Sequence, residues 1–349
     1  MKALTVRPET ADSAAVQDLD LAPIDAADVE VETLLVGICG TDVEIVSGAY
    51  GTAPEGSDVL VLGHESLGRV VRAPEGSGFA AGDLVVPMVR WPDPVPCQPC
   101  AAGEWDMCRN GLYTEHGIAG RHGFARERYG VPAHRLVPVP AALGDLGVLV
   151  EPTSVVAKAW QHIDYFAGRA TWTPRTVLVT GAGPIGLLAA MIGVQKGLEV
   201  HVLDTVTDGP KPALVADLGA TYHAGGLDSV AFMPDITIEC TGYGPLILEV
   251  LGKTGRDGIT CLTGVSTAGR SIPIDPGALN RGIVLENDVV FGSVNANRKH
   301  YEAAVAALVA ADRAWLGRLI SRRVPLDDFN DALHRTPEDV KVVVQIASE

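Results

Sequence analysis

The first 150 residues carry short apolar runs that are separated by glycine, proline and charged residues. VEVETLLVGI (29–38), LGRVVRA (67–73) and DLVVPMV (83–89) each have the length of a strand and are rich in valine. Runs of this kind, bounded by turn-forming residues, are typical of strands. We therefore predict an antiparallel, barrel-like β domain in this part of the chain.

The hydrophobic pattern changes near residue 150. TSVVAKAWQHIDYF (153–166) has helical spacing, and RTVLVTGAGPIGLLAAMIGVQKG (175–197) is a buried strand that runs into a helix. The elements that follow alternate between strand and helix: EVHVLD (199–204), PKPALVADLGA (210–220), ITIECTG (236–242) and GITCLTGV (258–265). This alternation predicts βαβ units and a parallel sheet.

The last part of the chain returns to short elements. NRKHYEAAVAALVAADRAWLGRLI (297–320) has the spacing of one or two helices, and VKVVVQIA (340–347) is strand-like.

Composition narrows the class of protein. With 349 residues, 47% of them hydrophobic and 20% charged, the chain favours two globular domains. A net charge of −16 argues against a nucleic-acid or anionic-membrane partner, because the chain does not neutralise phosphates. The start lacks an apolar run and no segment approaches the roughly 20 apolar residues of a membrane span. We therefore expect a cytoplasmic protein with reduced thiols.

A glycine-rich turn follows the apolar strand TVLVT and opens an apolar helix, which is the setting of a dinucleotide-binding loop. Gly181 permits a tight turn, Gly183 lets the backbone approach a pyrophosphate, and Gly186 lets helix and strand pack closely. Pro184 and Ile185 complete the loop, whose helix N-terminus attracts the anion.

The strand after this loop ends in Asp204, where a carboxylate accepts hydrogen bonds from the adenosine ribose. A carboxylate there repels a 2′-phosphate, so NAD is favoured, and NADP is not excluded. Lys211 is the only nearby cation in the sequence.

Three distant segments carry metal-ligand residues in polar, glycine-rich settings, and supply Cys39, His64 and Glu151. A thiolate, an imidazole and a carboxylate leave the fourth position of a zinc ion open, as a catalytic site requires. Each also has a structural interpretation: a small buried side chain for Cys39, a loop histidine for His64 and a helix N-terminal charge for Glu151.

GICGTD, GHE, EP and the later glycine motif, in this order, resemble the zinc-dependent medium-chain dehydrogenases. The chain looks most like the glucose (aldose) dehydrogenase branch in four segments: CGTDVEIVSG (39–48), GLYTEHGIAGRHGF (111–124), VLVEPTSVVAKA (148–159) and GSVNANRKHYEAAV (292–305). The resemblance implies an α/β protein that joins a GroES-like antiparallel β-barrel catalytic domain to a doubly wound Rossmann domain. On that basis the catalytic domain takes 1–155, the NAD-binding domain takes 156–292, and 293–349 returns to the catalytic domain.

The resemblance also implies roles at the metal. Cys39, His64 and Glu151 match the zinc ligands, and Glu65 matches an alternate or water-mediated ligand. Thr41 matches the hydroxyl that hands on the substrate proton. Where many alcohol dehydrogenases have a relay histidine, this chain has Glu44. Either Glu44 takes the proton to solvent, or the relay runs through the cofactor ribose and water.

Substrate and cofactor roles follow in the same way. Glu115 matches an acidic residue that touches sugar hydroxyls, and Asn297 falls where the branch meets its substrate. Asp42, like Glu44, is either a further acceptor for sugar hydroxyls or a structural residue. The remaining residues expected at the cofactor are Thr241, Gly264, Val265 and Asn295.

The predicted activity is the NAD(P)-dependent oxidation of a sugar-like hydroxyl on zinc. The alternatives are a zinc dehydrogenase of another polyol, cyclitol or amino-alcohol, including one in secondary metabolism, and a non-catalytic nucleotide-binding protein. The resemblance implies a homodimer or homotetramer, with NDVVFGSV (287–294) as a plausible edge strand between copies.

The segment VPCQPCAAGEWDMC (95–108) contains three of the six cysteines. The superfamily often holds a structural zinc with four cysteines, and Cys97, Cys100 and Cys108 fit the last three places. Pro94 occupies the first place and offers no ligand atom. The fourth ligand is then Asp93, with Glu104 or Asp106 behind it; otherwise the site is empty.

Overall fold

The computed structural model describes residues 1–267, 269 and 271–347. These residues form two compact units: 1–154 together with the C-terminal segment from residue 296, and Val155–Asn295. The observed divisions differ from the predicted ones by one residue at the first boundary and by three at the second. The last two residues of the predicted C-terminal segment lie outside the described residues.

The first unit begins as a set of short strands and contains two short helices in its N-terminal part. VEVETLLVGI, predicted as a strand, is one in full. The elements are β1 (Lys2–Val6), β2 (Ala15–Asp18), β3 (Val29–Ile38), α1 (Gly40–Val46), β4 (Leu60–Val61), β5 (Glu65–Arg72), β6 (Leu84–Pro87), β7 (Arg90–Trp91), α2 (Gln98–Ala101), β8 (Thr114–His116), β9 (Gly120–Arg121), β10 (Arg128–Val131) and β11 (Leu136–Val139). Short 3₁₀ helices lie at Trp105–Met107, Ala133–Arg135 and Gly144–Leu149.

Helix α3 (Val150–Ala167) follows, and the second unit then alternates between strand and helix as predicted. Its elements are β12 (Thr176–Thr180), α4 (Pro184–Gln195), β13 (Glu199–Asp204), α5 (Pro210–Asp217), β14 (Thr221–Ala224), a 3₁₀ turn (Leu227–Ser229), β15 (Ile236–Glu239), α6 (Gly244–Leu251), β16 (Ile259–Leu262), α7 (Pro276–Glu286) and β17 (Val289–Gly292). All five strand pairings are parallel, in the order β14-β13-β12-β15-β16-β17. The predicted doubly wound sheet is confirmed.

The chain then returns to the first unit. Its last elements are α8 (Arg298–Ala310), α9 (Arg313–Leu319), β18 (Ile320–Pro325), a 3₁₀ turn (Leu326–Asp328), α10 (Phe329–Leu333) and β19 (Lys341–Gln345). Strand β19 pairs antiparallel with β3 and parallel with β18, in a sheet of order β11-β6-β5-β3-β19-β18 to which β10 adds on β3. The sequence did not indicate β18, because ISRRVP carries three polar residues in the middle of the strand.

The apolar face of β3 explains why the first unit folds around it. Val36 and Ile38 are fully or almost fully buried and pack in one cluster with Leu62, Val342 and Val344 from the neighbouring chain segments. Burial of a side chain of this size contributes about 1.5–3 kcal/mol. Cys39 directly follows the buried run of β3, His64 lies two residues after Leu62, and Lys341 directly precedes Val342.

Strand β17 is an edge of the parallel sheet, as NDVVFGSV was predicted to be. The preceding helix α7 has no buried residue. Over the parts of the chain that the structure describes, no helix is long and apolar enough to cross a bilayer.

Candidate metal centre and nucleotide-binding loop

Cys39 lies where strand β3 ends and helix α1 begins, and it caps that helix. Its sulfur accepts a hydrogen bond from the backbone N–H of Thr41 at 3.2 Å. The Oδ2 of Asp42 in turn accepts from the backbone N–H of Cys39 at 2.9 Å. This reciprocal cap fixes the direction of the Cys39 side chain.

His64 lies immediately before β5 and is buried. Its Nε2 is 3.0 Å from the sulfur of Cys39, and its Nδ1 is 3.5 Å from Oδ1 of Asp42. Burial alone would lower the pKa of His64, but Cys39 and Asp42 together raise it well above its usual value. The negative charges of Cys39 and Asp42 thus favour a positive charge at the position of the His64 ring.

Asp42 is fully buried, with one carboxylate oxygen bonded to the backbone N–H of Cys39 and the other near Nδ1 of His64. Burial opposes ionisation, yet His64 lowers the pKa of Asp42 below its usual value. This placement beside His64, like that of carboxylates next to metal-binding histidines, favours the structural one of the two interpretations of Asp42.

Glu65 completes the cluster. One ligand atom each from Cys39, His64 and Glu65 lies within 4.8 Å of the others, and we call these three residues the metal cluster. Glu65 forms a buried ion pair with Lys341, whose Nζ is 2.5 Å from Oε2 and also donates to the carbonyl of Ile38. Lys341 was not recognised in the sequence, because nothing in VKVVVQIA relates it to a residue 276 positions away.

Glu151, the predicted third ligand, is buried next to the metal cluster but is not one of its three members. Burial and the neighbouring Glu65 raise the pKa of Glu151 to about 8, while His64 and Lys341 act to lower it. A thiol, an imidazole and one or both of these carboxylates form a donor set suited to zinc, and a bound cation reverses the burial cost that keeps Glu151 protonated.

Thr41 and Glu44 lie on α1 beyond Cys39, and both are half-buried. The backbone N–H of Thr41 contacts the sulfur of Cys39, and Glu44 lies three residues further along the same helix. This placement suits a proton path and leaves open which of the two predicted routes carries the proton.

Glu115 and Asn297, the two remaining candidates for substrate contact, are buried in polar networks of the first unit. Oε1 of Glu115 accepts from Nε of Arg90 at 3.0 Å. Nδ2 of Asn297, which precedes α8, donates to Oδ1 of Asp106 at 2.7 Å. The sequence did not indicate Arg90. It faces Glu115 because the register of β7 and β8 pairs the two residues directly, and this register is visible only in the structure.

The three cysteines at 97, 100 and 108 form a second group of ligand atoms within 4.8 Å of one another. Oδ2 of Asp93 is 4.0 Å from the sulfur of Cys108, and we call Asp93–Cys108 the cysteine lobe. Hydrogen bonding from the Arg109 N–H lowers the pKa of Cys97 to about 7, whereas burial raises that of Cys100 to about 11. All six cysteines of the chain are free thiols.

The two reserve candidates for the fourth ligand in the lobe are directed elsewhere. Asp106 faces Asn297, and Glu104 lies 3.5 Å from Nζ of Lys299. Of the three candidates, Asp93 is the one whose carboxylate approaches a lobe sulfur, at 4.0 Å from Cys108.

In the second unit, the glycine loop joins β12 to α4. Gly181 has a φ of 90°, which is left-handed backbone that favours glycine. A Cβ on Gly186 would collide with the carbonyl oxygen of Gly181, whereas open space surrounds the Cβ position of Gly183 among the described residues. Pro184 and Ile185 form the first turn of α4, so the N-terminal end of this helix follows the loop, and the helix dipole there favours an anion.

Asp204 ends β13 beside the loop. Its Oδ2 accepts from the N–H of Ala182 at 2.6 Å and lies 3.4 Å from Nζ of Lys211. Its Oδ1 accepts from the N–H of Val206 at 3.0 Å. Burial and Asp204 raise the pKa of Tyr222 to about 12. The carboxylate is therefore fixed beside the loop with a lysine as its partner.

Thr241 and Gly264 meet at the carboxyl end of the sheet, held by the fully buried Glu239. The Glu239 side chain accepts from the hydroxyl of Thr180 and from the N–H and hydroxyl groups of Thr241. A Cβ on Gly264 would collide with Gly242. Glu239 was missed, although a glutamate at the end of the apolar strand ITIE was a visible signal.

The last two expected cofactor residues lie in loops. Val265 is 74% exposed, and Asn295 has a φ of 60°, a left-handed conformation. No side-chain contact of Val265 supports a particular role.

Two families match successive parts of the chain. The family described as "Alcohol dehydrogenase GroES-like domain" matches residues 25–141, and "Glucose dehydrogenase C-terminus" matches residues 144–346.

Full-length relatives agree with both. Glucose 1-dehydrogenase of Methanocella arvoryzae is 38% identical over 100% of both chains, and glucose 1-dehydrogenase 2 of Vulcanisaeta moutnovskia is 40% identical over 99% of both. Glucose dehydrogenase of Haloferax mediterranei, solved with NADP, zinc and gluconolactone, has a TM-score of 0.91 at 30% identity over 100% of both chains.

Proposed function

We propose that this chain, which belongs to the zinc-dependent medium-chain dehydrogenases in their glucose dehydrogenase branch, oxidises a hydroxyl of a glucose-like aldose and reduces NAD(P). The observation that carries the proposal is the metal cluster. Cys39, His64 and Glu65, from two distant segments, bring three ligand atoms together in a chain whose full length matches glucose dehydrogenases.

Cys39, His64 and the adjacent carboxylates would hold a zinc ion, which would supply the Lewis acidity that makes a hydroxyl easier to ionise. Asp42 holds the imidazole of His64 by Nδ1, so that Nε2 faces the thiol. Lys341 neutralises Glu65, which limits the negative charge in the cluster. Glu65 and Glu151 are then available as alternate carboxylate donors.

Residues of α1 remove the proton of the substrate. The hydroxyl of Thr41 receives this proton, and the proton then passes either to Glu44 or through the cofactor ribose and water. Transfer to a positioned group of this kind contributes about 10²–10⁴-fold in rate. Because Glu44 is half-buried, it offers the first of these routes to solvent.

Recognition of a polyhydroxylated substrate falls to Glu115 and Asn297. Both are buried, so an unfilled hydrogen-bonding position at either one costs more than it would at the surface. A sugar hydroxyl fills such a position, whereas a simple alcohol does not.

NAD is the expected cofactor. The glycine loop offers N–H groups to the pyrophosphate, and Asp204 is positioned to accept from ribose hydroxyls. The Haloferax enzyme binds NADP, and Lys211 at 3.4 Å from Asp204 reduces the repulsion of a 2′-phosphate. We therefore infer a preference for NAD with measurable use of NADP.

A second zinc ion in the cysteine lobe would be held by its three thiols with Asp93 as the fourth ligand. The support is the close grouping of the sulfurs and the approach of Oδ2 of Asp93 to Cys108. A closed set of four ligands is typical of a structural rather than a catalytic site.

We further infer a cytoplasmic homodimer or homotetramer. Helix α7 buries none of its residues, and Val284 and Leu285 on it are 62% and 60% exposed beside the edge strand β17. Apolar side chains next to an unpaired strand edge favour association with a second copy. Light scattering on the purified protein gives the number of subunits.

A steady-state screen of aldoses, polyols, cyclitols and threonine with NAD and with NADP tests the proposed function. Turnover is expected on at least one aldose and only weak turnover on the other classes. Turnover on a cyclitol or amino-alcohol with none on any aldose would contradict it.

A further inference from the structure

We propose that Asp106 is a positioning residue that couples the cysteine lobe to the sugar-binding residues. It lies in the lobe, in the 3₁₀ turn just before Cys108, and it is 5% exposed. Two different groups of Asp106 bond to two different candidates for substrate contact, one directly and one through Arg90. The inference rests on the proposed function and deepens it.

The first link is made by the side chain. Oδ1 of Asp106 accepts from Nδ2 of Asn297 at 2.7 Å, between residues 191 positions apart. A hydrogen bond between a carboxylate and an amide is stronger than a neutral one, and burial strengthens it further. Because the bond uses Nδ2 and the Asn297 side chain also accepts from the backbone N–H of His300 in the capping box of α8, the direction of the amide is fixed.

The backbone of Asn297 is fixed as well. Its N–H donates to Nδ1 of His300 at 3.1 Å, and His300 is 1% exposed. Asn297 is therefore held by α8 on one side and by the lobe on the other, so that the lobe determines where its amide points.

The second link is made by the main chain. The carbonyl oxygen of Asp106 accepts from Nη1 of Arg90 at 3.3 Å, and Nε of the same guanidinium donates to Glu115. The guanidinium also lies 3.8 Å from the centre of the Tyr113 ring. In a single orientation, Arg90 thus donates both to the Asp106 carbonyl in the lobe and to Glu115.

Four residues carry this network, and all are nearly excluded from solvent: Arg90, Asp106, Glu115 and Asn297 are each 3–5% exposed. Buried polar networks are costly when they are only partly satisfied, so they specify one arrangement. This network ends at Glu115 and Asn297, the two candidates for sugar contact, and its centre is Asp106 in the cysteine lobe. The lobe is therefore part of substrate recognition.

Asp106→Ala tests the link. It removes the acceptor for Asn297 but keeps the backbone, and we expect KM for the best aldose to rise about tenfold with kcat changed less than about twofold. KM for a simple secondary alcohol, which lacks the further hydroxyls, is expected to stay unchanged. Calorimetry should show the same loss in direct sugar binding, with cofactor affinity unaffected.

Two variants control the experiment. Asp106→Asn keeps an oxygen for Nδ2 of Asn297 and is expected to restore most of the affinity for the sugar. Glu302→Gln removes an exposed carboxylate from the same helix, α8, and is expected to behave as the wild type. If Asp106→Ala does not fold, Arg90→Lys carries the same test, because lysine cannot bond to both Glu115 and the Asp106 carbonyl in the arginine geometry.

The outcomes separate the two proposals. Suppose that the wild-type enzyme turns over an aldose. An unchanged KM in Asp106→Ala, or an equal rise in its KM for the aldose and for the simple alcohol, would then overturn the positioning role alone. A wild-type enzyme that turns over no aldose would overturn the proposed function and this inference with it.

Discussion

The two groups of potential metal ligands in the first unit differ in nearly every physical respect. The metal cluster draws on segments separated by up to 26 positions, and partners as far away as Lys341 complete it. The cysteine lobe is local, with its ligands inside Asp93–Cys108, and two of its three cysteines are partly exposed.

Their electrostatic surroundings differ as well. Asp42 and Lys341 are buried against the metal cluster, where Asp42 lies beside His64 and Lys341 pairs with Glu65. In the lobe, the sulfur of Cys97 accepts a hydrogen bond from the backbone N–H of Arg109, and Oδ2 of Asp93 lies 4.0 Å from the sulfur of Cys108. Because buried charged partners tune reactivity, we expect the metal cluster to carry the chemistry and the lobe to be structural.

The largest expected difference between the groups is in turnover. Cys39→Ser removes a ligand of the metal cluster, and we expect kcat to fall by about a thousandfold, since Lewis acidity contributes several kcal/mol. Metal analysis should show the loss of one zinc per chain. Near-normal turnover in this variant would place the chemistry elsewhere.

Cys97→Ser should show the opposite profile. We expect the lobe zinc to be lost and the melting temperature to fall by roughly 5 °C or more, because structural metal binding contributes to folding. The value of kcat should remain within a few-fold of the wild type. A loss of turnover as large as that of Cys39→Ser would remove the distinction between the two groups.

Asp42→Asn tests whether the charged surroundings matter at the metal cluster. Partners of metal-binding histidines typically contribute 10–100-fold in metal affinity, so activity should be lost at a correspondingly lower chelator concentration. Glu44→Gln, two residues further along α1, is the matched control and should leave metal affinity unchanged. Equal chelator sensitivity in the two variants would contradict the role of Asp42.

The smallest expected effect concerns acid. Ionic hydrogen bonds from Arg322, with others from Thr336, outweigh burial and lower the pKa of Asp339 to about 2 from 3.8. Because the pKa of Asp339 is lower in the folded state, its carboxylate stabilises the protein by about 2 kcal/mol above about pH 4. The protein loses this contribution as the pH falls through 2. Because Asp339 lies two residues before Lys341, the first residue of β19, acid should loosen Lys341 before the lobe.

Denaturant unfolding of the wild type and Asp339→Asn checks this. The difference in unfolding free energy should shrink by about 2 kcal/mol between pH 6 and pH 2. Hydrogen exchange should show β19 opening before Cys97–Cys108, and the reverse order would contradict the assignment.

The sequence predicted the elements that local pattern determines. The run 29–38 and the strand at 199–204 were located to the residue, and the parallel sheet followed from alternation. Cys39 and His64 were proposed as ligands and Glu65 as an alternate one, and these three lie together, whereas Glu151, the predicted third ligand, is not a member of the metal cluster. The contacts of Asp42 and Lys341 with this cluster, and that of Arg90 with Glu115, were not foreseen, because they depend on sheet register and on how distant segments pack.

The position of Lys341 has a consequence for the order of events during synthesis. Residues 155–295 are continuous and can fold as soon as they emerge, while the first unit is divided in sequence on either side of them. Glu65 is buried against a lysine made 276 residues later, so the carboxylate lacks this partner for most of translation. The metal cluster therefore reaches its final charge state only when β19 joins β3, and until then the Glu65 carboxylate lacks the lysine that balances its charge.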